Sequence, residues 1–272
     1  MARTYSSGDD PSTPAGPGRR RRRLSDQETG RRMLDTALAM VNRDGLTVGL
    51  DHLGFEDVIR DAGVSRAAVY RRWPYKDLFY ADLLRELAGG AAPAAAAGGE
   101  ATRRLVDAVL AERAAELASP QGRHDLVTEL LRVTAAADLE TVSGSPEWRT
   151  YLALQATFLS LPQGDVRADV QDALARSERR FADRIARGWE TVATALGYRV
   201  RPDSGGSFAL IGTLAAATMR GLVLMAAADP DLLTREVPGN PTGASAAADW
   251  SLLGMAAASI AVTYLEPGPD AG

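Results

Sequence analysis

Apolar residues in this chain recur three and four positions apart, which predicts helices. Over residues 26–44, Met33, Ala37 and Val41 form one stripe with Leu34 and Leu38 beside it. Ser25 and Glu28 stand ahead of that stripe at the spacing of a capping box, and Gly45 supplies a left-handed stop. Phe55, Val58, Ile59 and Ala62 repeat the pattern. Gly63 then permits a tight turn, Val64 can plug the angle between two helices, and the Ser65 hydroxyl can cap the next one. On that short helix Val69 and Trp73 fall on one side and turn inward. A fourth helix begins at Lys76. Further along, segments near 101–118, 122–137, 146–160, 166–196, 206–228 and 248–265 keep the 3–4 spacing. No stretch alternates with period two, so no strand is expected. The fold class predicted is all-α: an N-terminal helix-turn-helix domain followed by a helical bundle.

The pattern lapses where composition changes. "MARTYSSGDDPSTPAGPG" has little to bury and runs into five arginines, Arg19 to Arg23. Residues 1–24 are therefore expected to be a disordered tail. "AGGAAPAAAAGG", residues 88–99, is low in complexity and reads as a joint. The expected division is a tail at 1–24, a helix-turn-helix domain at 25–88, a linker at 89–100, a helical domain at 101–268 and a disordered end at 269–272. "FALIGTLAAATMRGLVLMAAA", Phe208 to Ala228, has the length of a membrane span. Its Arg220 and its many small residues favour a buried helix of a soluble bundle instead, so no membrane partner is expected.

Cysteine is absent, which excludes disulfides and thiolate metal sites and points to the cytoplasm. The two histidines, His52 and His124, are far apart and read as loop residues; no metal site follows from them. No phosphate-binding loop, Asp-rich metal motif or paired histidines are present, so neither a cofactor nor enzymatic activity is expected. The net charge of −4 is unevenly spread. Residues 19–90 hold 14 basic and 11 acidic groups, whereas 91–272 hold 16 and 22. A basic front and an acidic rear suggest different partners for each.

The front carries the informative chemistry, in "AGVSRAAVYRRWPYKDLFYADLL". Helix, glycine-bearing turn and short helix make a helix-turn-helix, whose second helix enters the major groove of DNA. With Val69 and Trp73 inward, Arg66, Ala67, Tyr70 and Arg71 face out. Arg66, in the first turn beside the capping Ser65, is placed for bidentate contact with a guanine edge. Ala67 and Ala68 are small enough for close approach, and a methyl can touch thymine. Tyr70 and Arg72 suit phosphate oxygens. Tyr75 and Lys76, the chain's single lysine, stand at the start of a helix, where backbone amides and an ammonium can hold a phosphate. The arginine run can lie in the minor groove or add nonspecific affinity.

This stretch resembles the TetR family of bacterial transcriptional repressors over residues 28 to about 87. The shared pattern is Ala-Gly-Val-Ser, a Tyr near the end of the short helix, an aromatic three residues on, then Lys-Asp-x-Leu. Ala67-Ala68 stand where that family usually carries Gly-Thr, and Arg72 replaces a usual Tyr or His. The resemblance implies a homodimer, a pseudo-palindromic double-stranded DNA operator and a small-molecule effector that releases it. It also implies dimerisation through the last two long helices, here 206–228 and 248–265. For the effector, aromatic and polar residues on the middle helices are the candidates: Trp148, Tyr151, Gln155, Trp189 and Arg220. The competing expectation is a helical protein-interaction module that does not bind DNA.

Overall fold

The computed structural model describes residues 24–44, 53–90 and 99–269. The arginine run, Gly45, His52 and residues 91–98 of the joint lie outside these, so the expectations placed on them do too. Helix α1 (Asp26–Asp44) opens on the capping box: Ser25 N–H donates to Glu28 Oε2 at 2.9 Å and Glu28 N–H to Ser25 Oγ at 3.1 Å. Met33, Ala37 and Val41 are fully buried on its inner face. Helix α2 (Phe55–Ala62) buries Phe55, Val58, Ile59 and Ala62 and stops at Gly63, whose φ of 63° is the left-handed value glycine adopts without cost. Three residues later α3 (Arg66–Arg72) begins, its first turn capped by Ser65 Oγ accepting from Ala68 N–H at 3.2 Å. It ends at Trp73, and α4 (Lys76–Gly90) follows. Phe79 joins these helices, its ring 5.1 Å from both Phe55 and Trp73. The indole N–H of Trp73 donates to Asp82 at 2.9 Å, so its buried polar atom has a partner.

The rear is built from α5 (Glu100–Glu112), α6 (Pro120–Gly144), α7 (Pro146–Ser160), α8 (Asp165–Ala195), α9 (Phe208–Ala226) and α10 (Leu252–Tyr264). Helix α8 is the spine, packed against α4, α7 and α9. At Gly212 of α9 a Cβ would stand 2.6 Å from the Ala182 carbonyl oxygen of α8, so only glycine permits this approach. The buried cluster that begins with Met33 and Trp73 continues through Trp148, Leu154, Val170 and Phe181 to Met219 and Leu253.

Three expectations are corrected here. The helix expected over 101–118 breaks after Glu112, and Ala114–Ala118 forms a 3₁₀ turn. The helix expected over 122–137 runs from Pro120 to Gly144, which puts His124 inside a helix rather than in a loop. Strands also occur, contrary to expectation. β1 (Tyr198–Val200) pairs with β4 (Leu265–Pro267), and β2 (Glu236–Gly239) with β3 (Ala248–Ser251), both antiparallel. They are three or four residues long, too short for an alternating pattern to declare itself. β3 also takes the first four residues assigned to the last helix.

Candidate nucleic-acid interface and ligand cavity

Helix α3 protrudes with its chemistry outward. Val69 and Trp73 are buried, while Ser65, Arg66, Ala67, Tyr70, Arg71, Arg72, Tyr75 and Lys76 are exposed and Ala68 is half-buried. Three cations of this surface pair with acids of neighbouring helices. Arg66 Nη2 lies 2.7 Å from Glu56 Oε2, and Tyr70 Oη donates to Glu56 Oε1 at 2.8 Å. That hydrogen bond, more than burial, holds the Tyr70 hydroxyl above its ordinary pKa, so it stays a donor. Arg71 and Arg72 reach Asp26 at 3.2 and 3.5 Å. Arg72 lies along α1 where Gly30 leaves room (a Cβ there would be 2.8 Å from Arg72 Nε), and its guanidinium sits 5.0 Å above the Trp73 ring. Lys76 is the first residue of α4, beside Tyr75, which is 73% exposed. Glu56 and Asp26, which organise this surface, were not evident in the sequence. Glu56 lies ten and fourteen residues from its partners, and only the angle between α2 and α3 brings them together.

The five residues proposed for an effector pocket divide into two places. Trp148, Tyr151, Gln155 and Arg220 gather around Glu178 of α8, a residue hidden in the charged run "ARSERR". Tyr151 Oη donates to Glu178 Oε1, Gln155 Nε2 donates to the same oxygen at 2.5 Å, and Arg220 Nη2 donates to Oε2 at 2.6 Å. The Arg220 guanidinium also faces the Tyr151 ring at 5.8 Å. Burial, and then the bond to Glu178, push the Tyr151 hydroxyl well above its ordinary pKa. Trp148 packs edge-on against Tyr151 and Phe181. This group ties α7, α8 and α9 together and lies apart from the cavity that Trp189 lines.

Trp189 instead faces a cavity of about 590 Å³ bounded by α5, α6, α8, α9 and α10. Its wall is mainly apolar, with Leu130, Leu131, Ile185, Met219 and Leu253 alongside Trp189. Polar groups come from Thr102, Arg103 and Asp107 of α5, Asp138 of α6, and Arg184 and Arg187 of α8. Thr102 Oγ1 donates to Asp138 at 2.5 Å. Burial first, and Arg187 second, hold the Arg184 guanidinium below its ordinary pKa. Nearby, His124 clamps the loop between β2 and β3: Nε2 lies 2.9 Å from the Thr242 carbonyl and Nδ1 2.8 Å from Tyr198 Oη. The carbonyl can only accept, so Nε2 carries a proton.

No family model and no curated protein matches the chain. Solved structures resemble it loosely. A TetR-family transcriptional regulator from Agrobacterium tumefaciens is 17% identical, with a TM-score of 0.41, over 75% of this chain and 90% of that one. SmeT, the repressor of the Stenotrophomonas maltophilia multidrug efflux pump SmeDEF, is 15% identical with a TM-score of 0.38, over 88% and 93%. A SmeT–triclosan complex is 16% identical with a TM-score of 0.41, over 88% and 92%. Likeness at this level assigns no function, which has to come from the chain's own residues.

Proposed function

We propose that this chain is a sequence-specific DNA-binding transcriptional regulator of the TetR type, acting as a homodimeric repressor that a small molecule releases. One observation carries the reading. A seven-residue helix, capped by Ser65 and held from behind by Val69 and Trp73, presents Arg66, Ala67, Tyr70 and Arg71 to solvent. Of these only Tyr70 touches the core, through Phe55, and their spacing suits the edges of a major groove. In this reading Arg66 contacts guanine, and Ala67 and Ala68 allow close approach. Tyr70, Arg71, Arg72, Tyr75 and Lys76 bind the phosphate backbone and fix the register.

Two further features support the rest of the reading. An 18-residue stretch of helix α9 has a mean hydropathy of 1.7, yet only 22% of that stretch is buried in the single chain. Leu224, Met225 and Val262 of α9 and α10 are exposed, and a second copy would cover them in a four-helix interface. The cavity beside α8 has the size and the apolar wall of a small-molecule site. A ligand that prefers one spacing of the two reading heads would shift the dimer between DNA-bound and free states. A gel shift with the DNA flanking the gene tests the reading. The expected result is a complex that unrelated competitor DNA does not dissolve; a chain that ignores DNA, or binds all DNA equally, contradicts it.

A further inference from the structure

Glu56 stands out because its carboxylate serves two residues of the reading helix at once. Oε2 takes Arg66 at 2.7 Å and Oε1 takes the Tyr70 hydroxyl at 2.8 Å. Two members of this bracket adjoin buried residues. Glu56 lies in the first turn of α2, between the buried Phe55 and Val58. The Tyr70 ring stands edge-on to Phe55, centroids 5.8 Å apart. Yet Arg66 and Glu56 are 73% and 47% exposed, and an ion pair that open adds little to stability. Its consequence lies in orientation. A free arginine surrenders rotamer freedom when it docks on a base, whereas one already held gives up less.

We propose that Glu56 is the specificity-determining bracket of the reading helix, fixing Arg66 so that its unused N–H fork meets guanine. The proposal rests on the DNA-reading function above. A guanidinium carries five donors in a planar fork, so an ion pair with Glu56 on the Nη2 side leaves the remaining donors for O6 and N7 of guanine. Glu56 itself touches no base; it is a positioning residue. As an acid facing the duplex it opposes phosphate, so its benefit appears in discrimination rather than in overall affinity.

Binding by Glu56→Ala, Arg66→Ala and the double variant decides the matter. The probes are the palindrome that the wild-type chain selects from a random pool and the same palindrome with its guanine replaced. Glu56→Ala is expected to lower discrimination roughly tenfold, within what one bidentate guanine contact supplies, while unrelated DNA binds as well as before or better. The double variant should discriminate no worse than Arg66→Ala, because both changes remove one interaction. Glu56→Ala that keeps full discrimination overturns the role of Glu56 and leaves the DNA-reading function standing. Additive losses in the double variant overturn it equally. A wild-type chain without any sequence preference overturns both.

Discussion

At the residue scale the proposed function gives α3 and its flank two kinds of DNA contact, and substitution should separate them. Arg66→Ala should cost about 1–3 kcal/mol at the preferred site and relax the choice of base there, measured by anisotropy on a panel of single-base variants. Equal loss on every sequence would assign Arg66 to the backbone. Lys76→Ala should weaken all sequences alike and reduce the slope of log affinity against log salt by about 1. The outward or inward direction of each side chain on α3 was legible, because it follows from a local period and two apolar anchors. Partners were not. Glu56 for Arg66, Asp26 for Arg72 and Glu178 for Arg220 are separated by many residues and depend on how helices cross. Tyr151 shows what such a hidden partner does. Its hydroxyl is raised above 10.0 by burial first and by Glu178 second. The stability this gives is whole below pH 10.0 and is lost as pH climbs toward the folded value. Wild type should therefore lose melting temperature more steeply above pH 10.0 than Tyr151→Phe does; parallel curves would contradict this.

At the scale of elements, the turn between α2 and α3 sets the reading helix by two local devices. Ser65→Ala removes the cap of a seven-residue helix and should cost about 1 kcal/mol in a denaturant melt, with weaker DNA binding because the helix frays. Gly63→Ala places a side chain at φ 63° and should cost roughly 1–2 kcal/mol. Cap, turn and helix were all legible, since each depends on residues a few positions apart. The β1–β4 and β2–β3 ribbons were not. Tyr198 pairs with Pro267 only because the chain returns after α10, and β2 and β3, joined by residues 240–247, are too short to show an alternating pattern. The early end of α5 at Glu112 was missed as well. Arg113 there bonds Glu116 at 2.6–2.7 Å and draws the chain into a 3₁₀ turn while the apolar pattern runs on.

At the scale of the whole molecule, the proposed reading requires two copies. Leu224 and Met225 are 60% and 58% exposed on the apolar helix α9. Leu224→Glu should turn a dimer into a monomer in sedimentation and abolish binding to a palindrome while leaving helical content intact. A wild-type chain that sediments as a monomer at micromolar concentration would remove the dimer from the account. A dimer face on the last two long helices is what the family resemblance implies, and it stays part of the proposal. Trp189 was among the residues expected at a pocket and lines the cavity, whereas the position of Trp148, Tyr151, Gln155 and Arg220 away from it was not legible, because cavities belong to the spaces between helices.

The central claim is that α3 reads bases in pairs of half-sites. Selection of bound sequences from a random DNA pool by the full chain tests it most directly. The account predicts enrichment of a pseudo-palindrome with half-site centres about 34–36 Å apart, one turn of duplex, or a multiple of that distance. A pool that stays random after successive rounds, or one enriched in a site without two-fold symmetry, would contradict it.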